Sequence, residues 1–133
     1  MLIATGFVHT PEGDAALARA IEETRAREAK LVVVHSMRGG ERDEDELVRE
    51  YDDALQQAET QLAEAGIDFE IRRFARGASP SEDLLECARD EGVDLLVIGI
   101  RRRSPVGKLI LGSNAQDIIL KAECDVLCVK AGG

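Results

Sequence analysis

Short runs of branched apolar residues alternate along this chain with longer stretches in which Leu, Ile and Ala recur every three or four positions. The runs predict strands buried on both faces, and the longer stretches predict amphipathic helices. Met1–Thr5 reads as a short strand ended by Gly6. Thr10 then stands as an N-cap with Pro11 at the first helical position, and Ala16, Leu17, Ala20, Ile21 and Thr24 carry that helix to about Ala29. Leu31–His35 is a second strand, and Ser36–Asp45 is a polar loop holding Gly39 and Gly40. From about Asp43 a long helix carries Leu47, Tyr51, Leu55, Ala58, Leu62 and Ala65, and Gly66 caps it.

Ile67–Phe74 is a third strand, in which Ile67, Phe69 and Ile71 alternate with Asp68, Glu70 and Arg72. That alternation places it at a sheet edge with one wetter face. Ser79, Pro80, Ser81 and Glu82 form a capping box with Pro at the first helical position, opening a helix through Leu84, Leu85 and Ala88. Leu95–Ile98 is a fourth strand stopped by Gly99; Ala115, Ile118, Ile119 and Ala122 give a last short helix, and Val126–Val129 is a fifth strand. Alternating strands and helices imply right-handed crossovers, a parallel sheet and helices on both of its faces. Ligands of such sheets bind beyond the carboxyl ends of the strands, where the strand order reverses. The segments 6–11, 35–38, 77–80 and 99–114 would lie there.

At 133 residues and 44% apolar, the chain suffices for one domain (1–133) with a core that needs no disulfide or metal staple. No run reaches the ~18–20 apolar residues of a membrane span, and no basic-then-apolar leader opens the chain. Cys87, Cys124 and Cys128 are odd in number and lack metal-type spacing, which reads as a reduced, cytoplasmic protein. A formal charge of −9 argues against nucleic acid as a partner.

The stretch 99–114 carries the most chemistry. It follows a buried strand and holds Gly99, Gly107 and Gly112, the basic run Arg101, Arg102 and Arg103, and Lys108, and it ends in Gly112, Ser113 and Asn114 at a helix start. Gly99 and Gly112 would admit close backbone approach; the N–H groups of Ser113 and Asn114 favour an anion, and guanidinium groups suit phosphate oxygens. The same residues also satisfy a purely structural reading, with Gly99 ending a strand, Ser113 capping a helix and the arginines solvated. Val106, Gly107 and Lys108 do not make a Walker loop, because the required glycine spacing is absent.

With this stretch, three further blocks carry a resemblance: Gly77–Pro80, Asp94–Gly99 and Ala122–Val129. Over nearly its whole length the chain resembles the universal stress protein family, whose nucleotide signature is Gly, two residues, Gly, nine residues, then Gly-Ser/Thr, often followed by Asn. Gly99, Gly112, Ser113 and Asn114 stand at that register, and Arg102 replaces the central glycine. The resemblance implies a Rossmann-like, adenine nucleotide alpha hydrolase-like sheet of strand order 3-2-1-4-5 and a regulatory module of the stress response. Its ligand would be ATP or another adenine nucleotide, with any Mg2+ held mainly by phosphates. Thr5 and Gly6 would line the pocket, Val34 would flank the adenine, and Arg101–Arg103 would supply phosphate contacts. A homodimer through the C-terminal strand is implied as well. In nucleotide-binding members the first strand runs into an Asp; here Thr5, Gly6 and Phe7 occupy that place, and the nearby acid is Asp14. That departure, with Arg102, supports an alternative: a member without nucleotide affinity, acting through protein contacts.

His9 and His35 are the two histidines, and both read as bystanders, although His35 ends a strand next to the pocket. Cys128 reads as a small core residue, Cys87 as a helix-face filler and Cys124 as the one cysteine in a loop. No Ser-His-Asp or Cys-His unit, catalytic residue or metal-ligand set emerges, so slow ATP hydrolysis is the most that these motifs imply.

Overall fold

The computed structural model describes residues 1–36, 45–74, 79–101 and 113–131. Five strands alternate with four helices: β1 (Leu2–Gly6), α1 (Pro11–Ala26), β2 (Lys30–Ser36), α2 (Asp45–Glu64), β3 (Asp68–Phe74), α3 (Pro80–Glu91), β4 (Leu95–Arg101), α4 (Ser113–Lys121) and β5 (Asp125–Ala131). The strands form one parallel sheet of order β3-β2-β1-β4-β5, as the resemblance implied.

Alternate side chains of each inner strand serve two separate cores. Ile3, Leu31, Val33, Leu95 and Val97 pack under Leu17, Ala20 and Ile21 of α1 and Leu55 and Leu62 of α2. Ala4, Val32, Val34, Leu96 and Ile98 pack under Leu84 and Cys87 of α3 and Ile118 of α4. With both faces covered, the inner strands are apolar at nearly every central position, which is why they read as continuous runs. Each fully buried Leu, Val or Ile contributes roughly 1.5–3 kcal/mol, so Leu31–Val34 alone anchors the sheet strongly.

The helix starts follow the sequence closely. Thr10 Oγ1 accepts from the Gly13 N–H at 3.0 Å, and Ser79 Oγ accepts from the Glu82 N–H at 3.2 Å, each with Pro in the first turn. The end of α1 differs from expectation: it stops at Ala26 because Glu28 takes a left-handed conformation (φ 50°). The Ala29 N–H then reaches the Thr24 carbonyl at 2.9 Å and the Glu28 N–H reaches Arg25 at 3.3 Å, closing a Schellman motif without glycine. Gly66 and Gly92 serve the same role with φ 71° and 70° after α2 and α3.

Two further expectations need correction. Gly99 does not end β4; the strand continues to Arg101 because Gly99, Ile100 and Arg101 pair with Val129, Lys130 and Ala131 of β5. Cys128 is not a core residue but is exposed, since β5 is an edge strand and its residues are all exposed or half-buried.

Candidate functional site

The order of the strands reverses between β1 and β4, and the carboxyl end of that pair is where a parallel sheet accepts a ligand. The β1–β4 ladder runs from Ile3–Leu95 to Thr5–Val97 and stops there. Beyond it, Gly6 pairs only with Val34 of β2, while β4 goes on beside β5. The Phe7 N–H donates to the Val34 carbonyl at 2.8 Å, which turns the chain after β1 toward β2.

The first turn of α1 closes the other side of the opening. A Cβ on Gly99 would lie 1.9 Å from the Glu12 carbonyl oxygen and 2.5 Å from its carbon. Close backbone approach at Gly99 therefore occurs, and the backbone that approaches is this chain's own helix start. Gly13 is packed likewise, its absent Cβ falling 1.9 Å from the Val8 carbonyl oxygen, so the turn after β1 lies on α1. This contact holds Glu12 beside β4. Its carboxylate meets the Arg101 guanidinium side-on, with Nε–Oε2 and Nη2–Oε1 each at 3.5 Å. Both groups keep solvent access, so the pair stabilises the fold by at most about 1 kcal/mol.

The residues expected at the site come from several elements. Gly6 and Val34 are adjacent across β1 and β2, and Gly99 and Arg101 lie along the neighbouring β4 end. Thr5 is wholly buried, and its hydroxyl donates to the Val97 carbonyl at 2.7 Å, tying β1 to β4. Val34 is 2% exposed on the α3 side, where the nearest atom to a Cβ on Gly6 would be Leu84 Cδ2 at 3.8 Å. Asn114 is exposed in the first turn of α4, which Ser113 opens. Arg102, Arg103 and Gly112 lie outside the described residues, as does most of the loop 36–45.

His35 is buried at the end of β2, with its ring edge-on to Phe7 (centroids 6.1 Å apart, planes at 88°). Burial pushes its pKa down and the charge of Arg73 adds to this, against an opposing pull from Asp52. Cys87 is buried on α3, where burial first and the Glu91 carboxylate second push its thiol up to about 12. Among the described residues no three His, Cys, Asp or Glu side chains gather to hold a metal. No described helix is long and apolar enough to cross a membrane.

Two features of the site escaped the sequence reading. Glu12, rather than Asp14, is the acid beside the basic β4 end; Asp14 is exposed one residue beyond Gly13. A cavity of about 270 Å³ lies at the opposite end of the sheet, lined by Leu85, Arg89, Val93, Lys121 and Cys124 among others. The carboxyl ends of α3 and α4 meet there, so their dipoles disfavour an anion and the cavity is no substitute for the switch point.

The family model described as the universal stress protein family matches residues 1–130. A universal stress protein of Mycolicibacterium smegmatis is 37% identical over 132 residues, covering 99% of each chain. A universal stress protein structure from Archaeoglobus fulgidus superposes with a TM-score of 0.81 at 38% identity, covering 98% of both chains. Another from that organism, described as a complex with dAMP, gives 0.75 at 31% identity with 98% of both covered.

Proposed function

Since the chain belongs to the universal stress protein family, we propose that it is a cytoplasmic, adenine-nucleotide-binding regulatory protein of the stress response. The observation that carries this reading is the convergence at the switch point of Arg101, from the end of β4, with the ligand position that the sheet topology dictates. The donor set fits an anion: a guanidinium, which pairs well with phosphate oxygens, and the exposed start of α4 at Asn114. The dAMP complex of the Archaeoglobus fulgidus relative, at 31% identity, supports an adenine nucleotide.

In this reading the adenine lies near the ends of β1 and β2, beside Gly6 and Val34. The phosphates lie on the segment from Gly99 to Asn114, to which the resemblance assigns Arg102, Arg103, Gly112 and Ser113 beside Arg101. Mg2+, when bound with ATP, would need few protein ligands because phosphates supply most of its coordination. The edge strand β5 serves a homodimer in this reading, since among the described residues no strand pairs with its outer edge and such an edge needs cover. A strictly monomeric mass at micromolar concentration refutes that assembly.

One observation favours a second reading, a family member that works through protein contacts alone. With Thr5, Gly6 and Phe7 standing where the first strand of nucleotide-binding members runs into an Asp, Glu12 already engages Arg101. Calorimetric titration with ATP and AMP, with and without magnesium, decides between them when run on the parent and on Gly112→Val/Ser113→Ala. Binding by the parent that the double variant loses supports the nucleotide reading. A folded parent that binds neither nucleotide leaves the protein-contact reading.

A further inference from the structure

We infer that Glu12 sets the charge preference of the site, disfavouring highly charged nucleotides such as ATP relative to AMP. The inference rests on the nucleotide reading above and adds a residue and a selectivity to it.

Glu12 is held by its backbone. With its carbonyl oxygen at the place of a Gly99 Cβ, the first turn of α1 cannot move along β4 without breaking that packing. Its side chain is only 24% exposed and reaches to Arg101, 89 residues away in sequence, on the same strand two positions beyond Gly99. A phosphate that approaches Arg101 therefore meets a guanidinium already facing a carboxylate. The 3.5 Å contacts are loose enough for Arg101 to turn to a phosphate, but the carboxylate remains within a few ångströms of it. Repulsion from a fixed charge grows with the charge of the ligand, so each additional phosphate widens the difference.

Glu12 also has an ordinary explanation as an acid in the first turn of α1, where the helix dipole favours it. Asp14 shares that turn, is exposed, and lies outside the pair with Arg101. It makes the control: removing its charge alters the dipole interaction and the net charge by the same amount, without touching the contact.

The test is titration of ATP and of AMP, without magnesium and at low salt, into the parent, Glu12→Gln and Asp14→Asn. Glu12→Gln is expected to raise the affinity for ATP relative to AMP by roughly 3- to 10-fold, as a unit charge at about 6–8 Å in a solvated site would. The gain should vanish near 1 M salt, where the Debye length is about 3 Å. Glu12→Ala gives the same readout should the Gln variant fold poorly. A parent that binds both nucleotides while Glu12→Gln and Glu12→Ala keep its ATP:AMP ratio within about twofold overturns the inference alone. So does an equal shift in Asp14→Asn. Parent, Glu12 variants and Asp14→Asn all folded and all failing to bind either nucleotide overturn the nucleotide reading, and the inference with it.

Discussion

Replacing Gly99 with Ala tests the packing that organises the site. The new Cβ would stand 1.9 Å from the Glu12 carbonyl oxygen, 2.5 Å from its carbon and 3.1 Å from its Cβ. Real Cβ atoms essentially never come closer than 3.0 Å to another heavy atom, so the backbone of α1 or β4 must move by about an ångström. Neither element moves cheaply, because β4 is hydrogen-bonded between β1 and β5 and α1 is packed on the sheet through Leu17, Ala20 and Ile21. Overpacking a core costs about 1–3 kcal/mol, and a clash of backbone on backbone belongs at the upper end, about 3 kcal/mol. Two other glycines calibrate the result. At Gly66 nothing lies within 4 Å of a Cβ but φ is +71°, so Ala costs about 1–2 kcal/mol. At Gly6 the nearest atom is Leu84 Cδ2 at 3.8 Å, an ordinary contact, and Ala there should be the mildest of the three. Urea unfolding of the three variants gives the order directly, with the midpoint falling most for Gly99→Ala. A Gly99→Ala protein as stable as Gly66→Ala would refute the close contact between α1 and β4, and with it the fixed position of Glu12.

Two further predictions concern titratable groups. His35 has its pKa lowered below 6.5 in the fold, so the unfolded chain binds more protons in that window. Stability is then complete above pH 6.5 and declines as pH falls through the folded-state value; His35→Phe should flatten that decline in urea midpoints measured across mildly acidic pH. Half-buried Cys124 should alkylate well before buried Cys87, since burial holds the Cys87 thiol near 12. Timed iodoacetamide labelling read by mass spectrometry checks this, and labelling of Cys87 at the rate of Cys124 in folded protein would contradict it.

The elements were legible because their local chemistry agreed with the fold. Thr10 with Pro11 and Ser79 with Pro80 mark helix starts, and the β-branched run at Leu31–His35 needs a sheet covered on both faces. What misled was local chemistry whose outcome is decided elsewhere. Gly99 reads as a strand end, yet hydrogen bonding to β5 carries β4 two residues further. Glu28 gives no stop signal, yet the chain accepts a left-handed residue there and α1 ends early. Cys128 sits in an apolar run, but edge position leaves it exposed. Glu12 escapes sequence reading for the same reason: its partner is 89 residues away on β4, and only the pairing of β1 with β4 brings the start of α1 to it. The signal was present, since one residue opens the helix after β1 and the other closes β4, and both belong at the carboxyl edge by topology.

A chain of net charge −9 for which an anionic ligand is proposed poses a physical question, and the placement of Glu12 bears on its answer. At physiological ionic strength the Debye length is about 8 Å, so exposed acids far from the switch point are largely screened from a ligand bound there. Glu12 differs in position, because it contacts the same guanidinium that a phosphate would use, within the Debye length at physiological salt. On the nucleotide reading, the global surplus slows the approach of an anion, whereas the local balance at Arg101 sets how tightly it is held. Affinity in this protein should follow the contacts at the end of β4 far more closely than the net charge of the chain.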